Sequence, residues 1–270
     1  PSKILGVKAL RPRPAAMADE KLEQAMQTLN QIIETTEEDD PERPEYLTRL
    51  AELYWDKAEN FFNKAYGDAM FQRMTQAKAR GDGAAVAALT AEQQDLLKQR
   101  AYWQGQAVKT YRNLVDRYPT YKNLDSVLYY LGYTLTQMDK PAEGFPFFSR
   151  LVRERQDSRY APDAWLNIGE FHFNSGRMDD AQKAYSEAEK FPQSPAYGLA
   201  VYKKGWCLYN LGLFENSMNQ FLKVIEYART PAAQKIGYAR QLITEAQRDL
   251  VMAYSRVGNP DNAIRVFRQI

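Results

Sequence analysis

The sequence predicts an all-α protein built from stacked antiparallel helix pairs. A small residue in an apolar context, followed after a short gap by an aromatic, recurs at a period of about 36 residues, the length of one helix-pair unit. Gly176, Gly212 and Gly258 fall where successive first helices should end, because glycine accepts a left-handed cap. A long helical stretch with a turn signal at Gly81-Asp82-Gly83 predicts a helical hairpin.

The first predicted helix places Leu22, Met26, Leu29 and Ile33 on one face. Acidic residues from Glu34 to Glu45, with Pro41 and Pro44, make a solvated connection. Leu47, Leu50, Ala51 and Tyr54 open a split unit that Ala107, Tyr111 and Pro119 close. About 44 residues more than the pattern allows lie between its halves. Both helices are therefore expected to be extended. One runs from Glu45 to Arg80, and the other returns from Thr90, where Thr90-Ala91-Glu92-Gln93 forms a capping box. Each arm reaches roughly 40–50 Å.

Four further units follow. Leu128, Leu131, Gly132 and Leu135 pair with Gly144 and Phe148. Trp165, Ile168, Gly169 and His172 pair with Ala181, Tyr185 and Pro192. Val201, Gly205 and Leu208 pair with Ser217 and Phe221, and Leu250, Val251 and Tyr254 with Ala263 and Phe267. The small residue of each second helix follows the first motif position by 16 residues. Gly132, Gly169 and Gly205 are expected where paired helices cross closely, and the aromatics are expected to fill space toward the next unit. Thr230-Pro231 predicts the start of a last first-helix of about twice normal length, with Asn259-Pro260 starting its partner. The expected organisation is a tail over 1–17, a helix and acidic connection over 18–43, a split unit with extended hairpin over 44–122, and a helix-pair stack over 123–270 whose last unit is incomplete. An incomplete last unit and the absence of an initiating Met give the expectation of a piece of a longer protein.

Composition narrows the function. Among 270 residues, 44% are apolar and 26% charged, and the formal charge is +2. That balance argues against nucleic acid or an anionic membrane as partner. No run of about 18 apolar residues could span a bilayer. Cys207 is single, so no internal disulfide forms, and no Cys/His cluster has zinc spacing. Gly81-Asp82-Gly83 lacks the lysine of a phosphate loop, and Asp179-Asp180 reads as a helix N-terminus. His172 and Cys207 lie on apolar helix faces and read as core. No catalytic residues, metal or cofactor are expected, so the chain reads as a non-enzyme.

The motif residues resemble the tetratricopeptide pattern W-x2-L-G-x2-Y, then A-x3-F, then P, over roughly Tyr46 to Ile270. That resemblance implies a right-handed superhelix of antiparallel helix pairs, here with one long protruding hairpin, and binding of protein partners. Phe191-Pro192-Gln193-Ser194-Pro195 with Ala200-Val201-Tyr202-x-x-Gly205-Trp206-Cys207, and Asp157 to Trp165, resemble the variant found in bacterial cell-envelope proteins. Arg43-Pro44-Glu45-Tyr46-Leu47-x-x-Leu50-Ala51-Glu52-Leu53-Tyr54-Trp55 is similar to tetratricopeptide proteins of myxobacterial gliding motility. The implied location is the periplasm or outer-membrane periphery.

In this family the first helices line the concave face. The resemblance thus implies a groove formed by Tyr129, Tyr133, Glu170, Phe173, Tyr202, Trp206 and Tyr209, able to hold an extended peptide or a helix. The plainer reading packs several of these between adjacent repeats or against the hairpin. The carboxylate clamp of chaperone-binding relatives finds only Asn167 and Lys203 as suitable groups, so it is expected to be absent. The expected function is a non-catalytic scaffold in a bacterial envelope complex for motility or outer-membrane assembly. The alternative is a soluble adaptor or secretion chaperone that binds a peptide segment in the groove.

Overall fold

The computed structural model describes residues 19–258 and 263–267. Every regular element among them is helical: α1 (Asp19–Thr35), α2 (Arg43–Tyr66), α3 (Asp68–Ala79), α4 (Gly83–Arg117), α5 (Leu124–Gln137), α6 (Pro141–Glu154), α7 (Ala161–Asn174), α8 (Met178–Ala188), α9 (Tyr197–Asn210), α10 (Phe214–Ala228), α11 (Pro231–Gln234), α12 (Ala239–Val257) and α13 (Ala263–Phe267). The fold is an all-α helix-pair solenoid. It divides into two compact units that part between Phe147 and Phe148, inside α6. A seam at 122–123 was expected from the repeat pattern, but α5 packs on α4 and belongs with it.

In the unit ending at Phe147, α1 lays Leu22 and Met26 on Leu50 and Leu53 of α2, with Leu29, Ile33, Tyr54 and Trp103 around them. The Lys57 side chain is only 6% exposed, and Glu23 at 2.7 Å supplies its countercharge. An ammonium so enclosed needs that partner, because desolvating an unpaired charge costs several kcal/mol. Helices α2 and α4 run side by side, joined by Tyr54 against Trp103 at 5.6 Å and by Arg100 over Phe62.

The expected arm from Glu45 to Arg80 is not one helix. It breaks at Gly67, whose backbone is extended (φ −74°, ψ 171°). A Cβ there would run into the Asn63 carbonyl oxygen. The break strips Ala65 O of its helical donor, and Gln93 Nε2 from α4 replaces it at 2.8 Å. The turn lies at Gly81 (φ 67°), as its glycines predict. The return helix starts at Gly83 rather than Thr90. Asp82 is its N-cap, accepting from Ala85 N at 2.9 Å, and Thr90 sits inside α4 donating to Val86 O.

Three first-helix ends share one geometry. Lys140 N, Arg177 N and Leu213 N each donate to the carbonyl five residues earlier, around Asp139, Gly176 and Gly212 at positive φ. This is the left-handed C-cap of a Schellman motif. Asp139 fills the position taken elsewhere by glycine. Gly258 does not join them; it is extended (φ −73°, ψ 142°). The last first-helix is also not continuous from Thr230. The chain breaks after Gln234, and α12 starts at Ala239. Asn259 and Pro260 lie outside the described residues.

The close crossings are where the glycines predict them. A Cβ on Gly169 would fall within 3.0 Å of the Tyr185 ring, and one on Gly205 within 2.8 Å of Phe221. One on Gly144 would fall 2.6 Å from Gly132 O. Tyr185 and Phe221 therefore cover the glycine of their own unit, besides filling space toward the next. Replacing Gly169 by Ala should cost about 1–3 kcal/mol by overpacking. Gly105, mid-helix in α4 with open space at its Cβ position, should instead gain about 0.5–1 kcal/mol on substitution by Ala. Urea melts of the two variants check both signs.

Candidate partner-binding surface

The predicted groove residues fall in two places. Tyr129 and Tyr133 lie on α5 in the unit ending at Phe147, and both are buried. Tyr133 meets Trp55 of α2 edge-on at 5.5 Å, and Tyr129 stacks on Tyr133 at 6.0 Å. They glue α5 to α2 and do not offer a surface to a partner. Their assignment to a groove is corrected accordingly.

The other five lie on α7 and α9, in the unit from Phe148 onward. Glu170 accepts from Tyr185 Oη at 2.7 Å and from Lys203 Nζ at 2.9 Å. Burial, followed by the Glu170 charge, pushes the Tyr185 phenol well above its ordinary range. Lys203 Nζ also lies over the Phe173 ring at 5.6 Å. Tyr202 is fully buried and donates its hydroxyl to Asp249 Oδ2 on α12 at 2.6 Å. It too is removed from the groove. Trp206 Nε1 donates to the same oxygen at 3.1 Å, and Arg248 Nε donates to Asp249 Oδ1 at 3.0 Å. Tyr209 accepts from Arg256 Nε at 3.0 Å and meets Trp206 at 5.5 Å.

These contacts form a polar seam that ties α7 to α9 and α9 to α12. The plainer reading of the sequence, packing between repeats, thus accounts for much of the predicted groove. Glu170, Phe173, Trp206 and Tyr209 remain partly exposed. The two clamp-type groups are committed elsewhere: Asn167 donates to its own helix at Asp163 O, and Lys203 is held by Glu170.

Asp249, only 1% exposed, is the residue the sequence reading missed. Its signal was present. Leu242, Ala246, Leu250 and Ala253 form the buried stripe of α12, and Asp249 falls within that stripe. Glu189 was missed as well. Burial would raise its carboxyl, but hydrogen bonds from Lys204 and Lys223 hold it below the usual range.

The remaining candidates are chemically quiet. Cys207 is buried, which pushes its thiol up to about 12, far from a reactive thiolate. His172 is half-buried, edge-on to Phe171, and its pKa is lowered by burial and by Arg177, against the pull of Asp180. Among the described residues no group of three acidic, histidine or cysteine side chains could hold a metal, and no helix is long and apolar enough to cross a membrane.

Residues 146–195 and 200–231 match two family models, each described as tetratricopeptide repeat. Together the two matched segments span less than a third of the chain. The tetratricopeptide matches fall on α7 with α8 and on α9 with α10, the pairs closed by Gly169–Tyr185 and Gly205–Phe221. No curated protein matches the chain. Among solved structures, the apo form of the quorum sensor NprR from B. thuringiensis is similar at 12% identity. That match covers 93% of this chain and 81% of the other, with a TM-score of 0.42.

One prediction tests the seam, and a second tests a buried carboxyl outside it. Replacing Tyr202 by Phe keeps the ring but strips one donor from a buried carboxylate, and should cost about 1–3 kcal/mol in a urea melt. Asp163, in the first turn of α7, has its carboxyl pushed up to about 6 by burial. Between about pH 4 and 6 the folded chain then holds a proton that the unfolded chain has lost, so this group removes stability as pH rises through that window. The Asp163→Asn variant should melt higher than the parent at pH 7 and should lose that advantage near pH 4.

Proposed function

We propose that the chain is a non-catalytic interaction scaffold that holds a protein partner against the first helices α7 and α9. One observation carries this reading: Phe173, Trp206 and Tyr209 stay partly exposed while the polar groups around them are fixed by internal bonds. A partner would meet a preorganised aromatic row, and preorganisation lowers the ordering cost of association. Aromatic rings with polar tips suit such a contact. Glu170 and Lys203 at one end, and Arg256 at the other, would set the orientation of the partner. The near-balanced charge favours a protein over a nucleic acid.

The proposed setting is a bacterial cell-envelope complex, in motility or outer-membrane assembly. Its support is the resemblance of the Phe191–Pro195 and Asp157–Trp165 segments to the envelope variant of the repeat.

The test is a cross-linking pull-down from native extract with the parent chain and a Phe173→Ala, Tyr209→Ala variant of unchanged helicity. Envelope proteins captured by the parent and lost by the variant are the expected result. Equal capture by both would remove the proposed surface. Capture of unfolded cytosolic clients would favour a soluble adaptor or secretion chaperone.

A further inference from the structure

A cleft of about 940 Å³ lies in the unit ending at Phe147, where the connection from α1 to α2 faces the connection from α4 to α5. Its two walls are tied together. Arg117 Nη1 donates to Glu38 Oε1 at 2.5 Å, and Tyr118 Oη donates to Glu38 O at 2.9 Å. Tyr121 Oη donates to Glu45 Oε2 at 2.8 Å. A cleft held open by such bonds exists before a ligand arrives, which lowers the ordering cost of binding. Tyr46 and Tyr118 line it and stay partly exposed.

The charge of the lining selects the occupant. Five carboxylates and two cations face the cleft. Both cations are spent, Arg117 on Glu38 and Lys122 on Glu45 at 3.8 Å. Asp39, Asp40 and Glu42 have no cationic partner among the described residues. Tyr46 feels their field: its hydrogen bond to Glu42, then burial, then the charges of Glu42 and Asp40 raise the phenol above its ordinary value. Such a lining repels nucleic acid and attracts a cation. The volume suits a chain segment rather than a single ion. Among the described residues, moreover, no group of three acidic, histidine or cysteine side chains could hold a metal. A guanidinium fits both kinds of wall, because it forks onto a carboxylate and stacks on a tyrosine ring. In an extended chain, residues i and i+2 share one side about 7 Å apart. We propose that the cleft receives an extended segment of a partner protein with arginines at i and i+2, held by Asp39, Asp40 and Glu42 against the tyrosine rings.

The probe is a fluorescein-labelled octapeptide of glycine and serine with arginines at i and i+2, titrated against the chain by fluorescence anisotropy. Asp39→Asn with Asp40→Asn should weaken binding about tenfold. The amide at position 40 keeps an acceptor for Glu42 N, so circular dichroism should not change. Asp68→Asn with Asp95→Asn removes the same charge from the same unit outside the cleft and should leave binding as it was. A peptide with lysines in place of both arginines should bind about threefold more weakly. Equal loss in both double variants, equal affinity for the lysine peptide, or no binding up to about 1 mM would overturn the proposal. The chain's own Arg11-Pro12-Arg13 has the same spacing. Tighter binding by an Arg11→Ser, Arg13→Ser variant would give the cleft to that segment and overturn the assignment to an outside partner.

Discussion

The repeats depend on helices that cross closely enough for a ring of one to sit directly against a glycine of the other. Tyr185 covers Gly169 and Phe221 covers Gly205, each without room for a single added carbon. Gly144 meets Gly132 O in the same spirit, backbone against backbone. A methyl group at such a crossing would separate two helices along much of their contact, because interiors are packed as densely as crystals. Once the crossing distance is fixed, the large apolar side chains on both sides can interdigitate. Leu166, Val201, Val224, Ile225 and Leu250 all join the core cluster organised around these rings.

A second constraint is polar. The first helices α7, α9 and α12 are joined along one face by Glu170 with Lys203, by Asp249 with Tyr202 and Trp206, and by Tyr209 with Arg256. Apolar packing alone tolerates sliding of one helix over another. A buried carboxylate with two directed donors on the facing helix does not, because a shift of register strips both at a cost of about 1–3 kcal/mol per lost bond. The seam therefore fixes the relative position of adjacent repeats and holds the partly exposed aromatics in place.

The hairpin follows another logic. Its two arms share a small core of Met70, Ala77 and Leu89. The break at Gly67 redirects the chain, and a side-chain amide from the opposite arm replaces the lost backbone bond. Redirection there lets α3 face α4 with methionines on one side and leaves Phe71 and Tyr66 outside. The repeats, by contrast, keep their large rings on glycine.

Much of this was legible in the sequence. Helical periodicity, the 16-residue spacing from motif start to small residue, and the turn glycines specified the class, the pairing and the crossings, because each is a local rule of backbone geometry. Asp139 escaped notice as a left-handed cap because aspartate takes that conformation only in context. Gly67 read as an ordinary helix residue, since a single glycine inside a helical pattern does not reveal whether the chain will turn. The site was least legible. Tyr129, Tyr133 and Tyr202 have the chemistry of a binding surface, yet whether an aromatic on a first helix meets solvent or a neighbouring helix depends on how far each pair is offset from the next. The sequence by itself determined that helices would pair and where they would touch. Only the tertiary structure decided which faces remained open, because that choice rests on long-range partners such as Asp249, 47 residues from the Tyr202 it binds.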